Sequence, residues 1–302
     1  MSSLKIACLG EAMIEMIVDA DGKNAALGVA GDSMNTAIYL SRGLGKDHEI
    51  AFVSMIGRDP LSDRIETFIA SEGVSTKFLK RHPTRLPGLY SISTNEAGER
   101  SFSYWRDASA ARLMYASSED AGFEELSNFD VIFMSAISLA ILPRPVRDRF
   151  YTWLKDFRAD GGKFVFDSNY RPALWPDKEE ARYEITRAWS HCDIALPSVD
   201  DEMALFGDSD EDQVLKRLRT NGVRLGVLKR GELGPWPIDK GEVSAVSFAP
   251  AIKVIDTTAA GDSFNGGFLA TYLTTGDLAE AMKAGHDLAN RVIGHRGAII
   301  PR

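Results

Sequence analysis

Short aliphatic runs alternating with segments of helical periodicity constrain this chain more than any other feature. The runs are LKIACLG from Leu4, IAFVSMI from Ile50, DVIFMSA from Asp130, KFVFD from Lys163, DIALP from Asp193 and LGVLK from Leu225. Each is rich in aliphatic and β-branched residues and too short for a helix, so each reads as a buried strand. Helix-period segments occupy 60–72, 143–158, 178–189 and 213–221, with a final pair over 262–273 and 278–293. Apolar strands separated by helices predict an α/β fold: a mostly parallel central sheet with helices on both faces.

Two stretches break this rhythm. Residues 12–18 and 86–106 alternate apolar and polar side chains with no helix between, and Asn95-Glu96-Ala97-Gly98 is a predicted turn between LYSIST and RSFSYW. An antiparallel piece does not fit inside a parallel core. It is expected outside, as a small sheet with strands from about 11–31 and 86–106, serving either as a lid over a cleft or as an edge for subunit packing. Neither internal repeats nor low-complexity linkers occur, so 1–302 reads as one domain.

The formal charge of −8 lacks the basic excess of a nucleic-acid-coating protein, yet leaves room for a local anion pocket. Two cysteines, Cys8 and Cys192, support neither a disulfide framework nor a zinc site. The longest apolar run, 131–142, is too short to span a bilayer, so no membrane partner and a cytoplasmic location are expected.

The most informative string is Asp256-Thr257-Thr258-Ala259-Ala260-Gly261-Asp262-Ser263-Phe264. A strand over 252–255 is expected to run into this small-residue turn and then a helix. Small side chains at Ala259, Ala260 and Gly261 let backbone N–H groups approach a ligand, and the helix N-terminus adds its positive dipole end. Asp262 beside such an anion hole could take a proton from a hydroxyl attacking phosphorus. Aspartate is also a favoured helix cap, so the residue alone decides nothing. The whole string carries more weight, because neither G-x-x-x-x-G-K-[ST] nor G-x-G-x-x-G occurs in the chain.

Asp-Thr-Thr-Ala-Ala-Gly-Asp resembles the D-T-x-G-A-G-D signature of the ribokinase-like (PfkB) sugar kinases. Gly10-Glu11 ending the first strand, the 30–37 string AGDSMNTA (similar to G-G-x-x-x-N-x-A) and Gly57 with Asp59 (similar to G-x-D) extend the resemblance over essentially the whole chain. It implies a ribokinase-like fold, ATP and Mg²⁺ as cofactors, and Asp262 as catalytic base, with the backbone of Ala259, Ala260 and Gly261 stabilising the transferring phosphoryl group. A monovalent cation is left open. Lys229, Gly231 and Gly234 resemble the nucleotide loop K-x-G-x-x-G, and His286 and Asn290 fall where the family packs adenine. By the same analogy Asn169 approaches the nucleotide phosphates. The family's N-x-x-E motif stands here as Ser198-Val199-Asp200-Asp201 with Glu202 next, which implies Asp201 or Glu202 as water-mediated magnesium ligands.

Within the family the resemblance is nearest to 2-keto-3-deoxygluconate kinases, in the string YWRDASAAR from Tyr104 and in Asn169-Tyr170-Arg171-Pro172. A sugar acid demands fixed positive charge for its carboxylate, and strand alternation puts Tyr104 and Arg106 on one face. The resemblance implies Gly31, Asn35, Tyr90, Tyr104, Arg106 and Arg171 as substrate contacts, with Asp32 or Asn35 orienting hydroxyls. The expected reaction is phosphorylation of the C6 hydroxyl of a 2-keto-3-deoxy sugar acid. The alternatives are a neutral ketose, a related sugar acid or a nucleoside as acceptor, and, from another class, a non-catalytic sugar or nucleotide sensor. A homo-oligomer joined through the lid is expected.

Overall fold

The computed structural model describes residues 3–19, 21–94, 100–117, 122–239 and 248–302. The chain begins with β1 (Lys5–Leu9), β2 (Met13–Val18), β3 (Ala25–Ala30), α1 (Asp32–Leu44), β4 (Glu49–Ile56), α2 (Pro60–Ser71) and β5 (Leu79–Arg81). Next come β6 (Gly88–Thr94), β7 (Arg100–Trp105), β8 (Val131–Ser135), α3 (Ala136–Ile141), α4 (Arg144–Ala159), β9 (Lys163–Asp167), α5 (Lys178–His191) and β10 (Ile194–Leu196). It ends with α6 (Val199–Phe206), α7 (Glu211–Thr220), β11 (Gly226–Leu228), β12 (Trp236–Ile238), α8 (Ala260–Thr275) and α9 (Leu278–Ile293).

The six aliphatic runs form β1, β4, β8, β9, β10 and β11, all in one sheet of order β12-β11-β10-β9-β8-β1-β4-β5. Its pairings are parallel apart from β11 with β12. Alternate residues of β8 explain why the runs are apolar throughout. Ile132 and Met134 pack with Phe150 and Trp189 on one face, whereas Val131 and Phe133 pack with Met34 and Phe268 on the other. Both faces therefore need helices.

β3, β2, β6 and β7 form the second sheet, in that order, with β2–β6 parallel and the outer pairings antiparallel. Its strands all fall within 11–31 and 86–106. The predicted turn at 95–98 lies outside the described residues.

Two expectations need correction. Residues 252–255 form no strand: Ile252 is fully exposed, and the amides of Ile255 and Asp256 donate to the Ile293 carbonyl instead of a strand partner. The motif at 30–37 opens an unpredicted helix, α1, which is buried on all sides from Ser33 to Leu40. Small residues of α8 bring it close to α1; a Cβ on Gly266 would lie 2.5 Å from Tyr39 Cβ. That close packing sets the two helix N-termini side by side. Among the described residues no helix is long and apolar enough to cross a membrane.

Candidate active site

The site lies at the carboxyl ends of the parallel strands, where open α/β sheets bind ligands. Asp32 opens α1 and Asp262 stands in the first turn of α8. Gly31 caps α1 because the backbone passes so near that a Cβ would lie 2.1 Å from the Glu11 carbonyl oxygen. Asn35 Nδ2 donates to Asp262 Oδ2 at 2.8 Å, and Thr36 Oγ1 donates to the Asp262 carbonyl at 3.3 Å. The Asp32 carboxylate accepts from Ser135 Oγ at the end of β8, and from Asn169 Nδ2 at 2.9 Å just beyond β9.

The pKa values of both carboxylates are raised. Burial first, then the negative charge of Asp32, pushes Asp262 up to about 7, with Asp167 adding to the rise and the Asn35 hydrogen bond opposing it. Burial likewise raises Asp32, against the Ser135 hydrogen bond and the more distant charge of Arg106. A carboxylate titrating near neutrality can accept a proton there and still be ionised.

Asp256 builds the turn before α8. Its carboxylate accepts from Thr258 N at 3.0 Å, from Thr258 Oγ1 at 2.7 Å and from Gly297 N at 2.9 Å. Ala259 then adopts the left-handed conformation (φ 60°, ψ 19°), which is costly for a residue with a Cβ. No side chain caps α8. The Ala260 amide donates to the Thr257 carbonyl at 3.2 Å, so the expected cradle is narrower than 259–261 and rests on the following first-turn amides. Lys229 borders the cradle: its Nζ is 3.6 Å from where a Gly261 Cβ would sit. Asp167 Oδ1 at 2.9 Å and Asn265 Oδ1 at 3.2 Å hold this ammonium.

Other expected residues distribute unevenly. Gly231 and Gly234 take positive φ values of 55° and 76° on either side of a single helical turn. Ser198 precedes α6, its amide bound to Ser168 Oγ, and bridges to Lys229. Tyr90 donates to Glu15 Oε1 at 2.5 Å, and the exposed Tyr104 ring stacks on it at 5.7 Å. Arg106 follows β7, is buried, and pairs through Nη2 with Glu11 Oε2. Arg171 is half-exposed and lies 3.2 Å from Asp201 Oδ1.

One expectation fails on geometry. Glu202 is no candidate metal ligand: it is buried under α6, accepts from Trp189 Nε1 at 3.2 Å and pairs with Arg217 at 2.9 Å. His286 Nε2 and Asn290 Nδ2 both contact the Ala249 carbonyl, at 2.7 and 2.9 Å, so they pin the 248–250 segment. Asn169 shares its side-chain amide with Asp32 at 2.9 Å, which ties it to the start of α1. Sequence reading also passed over Asp167, Ser135 and Asn265, which hold the machinery in place. The only signal for Asp167 and Ser135 was their position at strand ends.

The chain matches the model of the pfkB family carbohydrate kinases over residues 3–302. It belongs to that family. It is 42% identical to the 2-dehydro-3-deoxygluconokinase of Escherichia coli (strain K12) over 306 residues, covering 99% of this chain and 98% of the relative. The enzyme of the same name from Dickeya dadantii (strain 3937) is 43% identical, covering 100% and 98%. A solved 2-dehydro-3-deoxygluconokinase from Thermotoga maritima has the same fold, with a TM-score of 0.83 at 20% identity and coverage of 99% and 95%. The family implies ATP and a divalent metal. The described residues hold no ready-made cluster of three metal ligands. A nucleotide-borne cation takes one or two protein carboxylates and the phosphates; the Asp201 carboxylate accepts from Arg171 and feels the charges of Asp167 and Lys229.

Proposed function

We propose that this chain transfers the terminal phosphoryl group of ATP to the C6 hydroxyl of 2-keto-3-deoxy-D-gluconate. The observation that carries the reading is the convergence, at one set of strand ends, of a cradle, a base with a raised pKa and a buried guanidinium. Near-full-length relatives with 39% to 43% identity, all named for this activity, support it.

In this reading Asp262 accepts the C6 proton as the alkoxide oxygen attacks the phosphorus, and Asn35 fixes the carboxylate's rotation. The first-turn amides of α8 and the Lys229 ammonium stabilise charge on the transferring group. Mg²⁺, the divalent ion proposed here, would neutralise phosphate charge, with Asp201 holding it through water. Arg106 meets the acceptor carboxylate and the Tyr90–Tyr104 pair walls its sugar chain. The lid excludes water that would otherwise hydrolyse ATP. Ile17, Leu27, Phe102 and Trp105 are exposed on the lid, an apolar surface suited to pairing two copies.

Comparing kcat/KM for ketodeoxygluconate, fructose and ribose in wild type and Arg106→Ala tests the assignment. Loss of a buried charge-assisted contact predicts a drop of about 30-fold or more on the acid, with fructose changed by less than about threefold. Equal losses on acid and neutral sugars would refute the clamp.

A further inference from the structure

Away from this site, a cavity of about 550 Å³ opens between the end of the lid and the helical layer. Its volume falls in the range of small-molecule sites. Arg85, Arg112 and Arg147 line it together with Asp107, Ser109 and Trp175, over a floor of aliphatic residues from α3 and its exit. None of Asp32, Arg106, Lys229 or Asp262 contributes to the wall.

Two observations point to an acceptor-rich ligand. First, Arg85 and Arg112 make no ion pair among the described residues, and only the exposed Asp107 opposes them on the wall. Arg147 is different: Glu180 and Glu184 flank it on the α5 side. Second, Ser109 Oγ, Trp175 Nε1 and Arg147 Nε are buried without a hydrogen-bond partner, on residues more than nine-tenths buried. All three residues line the cavity, and all three atoms can donate. Unpartnered donors are costly inside a protein and mark places where an acceptor is missing.

We infer that this cavity binds a small oxyanion, a phosphate or carboxylate, at a site separate from the catalytic one. The guanidiniums of Arg85 and Arg112 provide the charge-assisted contacts, and small side-chain shifts bring Ser109 and Trp175 to the remaining oxygens. The apolar floor accommodates the carbon skeleton when the anion is organic. Wall residues 107–109 directly follow Arg106, and residues 174–176 begin three positions after Arg171. A bound anion would therefore touch both chain segments that carry arginines of the proposed acceptor site.

Calorimetric titration of the full chain with inorganic phosphate, and separately with citrate, tests the site. Four proteins are compared: wild type, Arg85→Gln, the double variant Arg85→Gln/Arg112→Gln, and Lys229→Gln as a control in the phosphate cradle. Neither Arg85 nor Arg112 leaves a buried partner stranded, so the double variant keeps its fold, checked by an unchanged melting curve. The expected result is binding by the wild type that weakens about tenfold or more in the double variant, by less in the single one, and persists in Lys229→Gln. Phosphate binding alone identifies a simple anion site; stronger citrate binding identifies the carboxylate source. Absence of binding of both anions to the wild type up to about 10 mM overturns the inference. So does binding that survives in the double variant or disappears in Lys229→Gln, which would assign it to the catalytic cradle. The readout is independent of kinase turnover, so it stands or falls separately from the proposed reaction.

Discussion

Asp262 and Glu202 both have pKa values pushed up to about 7, yet they occupy opposite kinds of environment: Glu202 is fully buried, whereas Asp262 is partly exposed. Burial dominates both rises. Around Glu202 the neighbours mostly resist it: the Arg217 guanidinium and the Trp189 N–H stabilise the ionised form, and Arg217 also pairs with Asp208. At Asp262 the closest charges add to it, because Asp32 and Asp167 share the region and the one nearby cation, Lys229, is already bound to Asp167. The titration value alone therefore does not distinguish a structural group from a reactive one. The neighbours do: a structural carboxylate receives its own cation, whereas the reactive group is held by amides and crowded by like charge, which keeps its lone pair available.

The sharpest way to break this comparison is to remove each group in turn. Asp262→Asn should lower kcat by about 10³-fold while the protein melts no lower than wild type at pH 8, measured by steady-state kinetics and thermal unfolding. A near-wild-type kcat would remove Asp262 from the chemistry. Glu202→Ala should do the reverse. Stranding Arg217 is expected to cost about 3 kcal/mol in urea unfolding, with kcat per folded molecule within about twofold of wild type.

Smaller effects sharpen the contrast. The folded chain holds the Asp262 proton up to about pH 7, whereas an unfolded aspartate releases it near 4. Between those values the folded state binds more protons, so this group's contribution to stability falls as pH rises from about 4 to 7 and is level above. Asp262→Asn should flatten that part of the stability profile, and wild-type kcat/KM should rise towards a plateau through about pH 7. An unchanged stability profile in the variant would place the raised pKa elsewhere. Least of all, Ala259→Gly should change stability by less than about 1 kcal/mol and retain activity, since glycine takes the left-handed conformation freely but loses more entropy on folding. Ala259→Val should lose activity at least about tenfold, because a β-branched residue resists positive φ.

Much of the fold was legible because its code is local. Six aliphatic runs became six neighbouring strands, and alternation in 12–18 and 86–106 separated a second sheet from the first. Failures followed where a local pattern lacked a tertiary partner. Ile252, Val254 and Ile255 look like a strand, but they pair with no strand among the described residues and remain exposed. In the site, the Asp262 motif was legible as a string, and Arg106 as a charge beside aromatics. The bonds that orient them were not. Asn35 reaches Asp262 across 227 residues, Asn169 reaches Asp32 across 137, and Arg106 reaches Glu11 across 95. The contacts of His286 and Asn290 are equally non-local, because only packing puts the Ala249 carbonyl beside them.

By itself the sequence determined what short-range physics controls: the sheet and its helices, the small-residue turn at 256–261, and an aspartate in the first turn after it. Tertiary structure decided which carboxylates share an environment and which receive a guanidinium. Solvent exclusion and charge proximity depend on separations of a few ångströms between residues far apart in the chain, and these exist only once the sheet has brought its strand ends together.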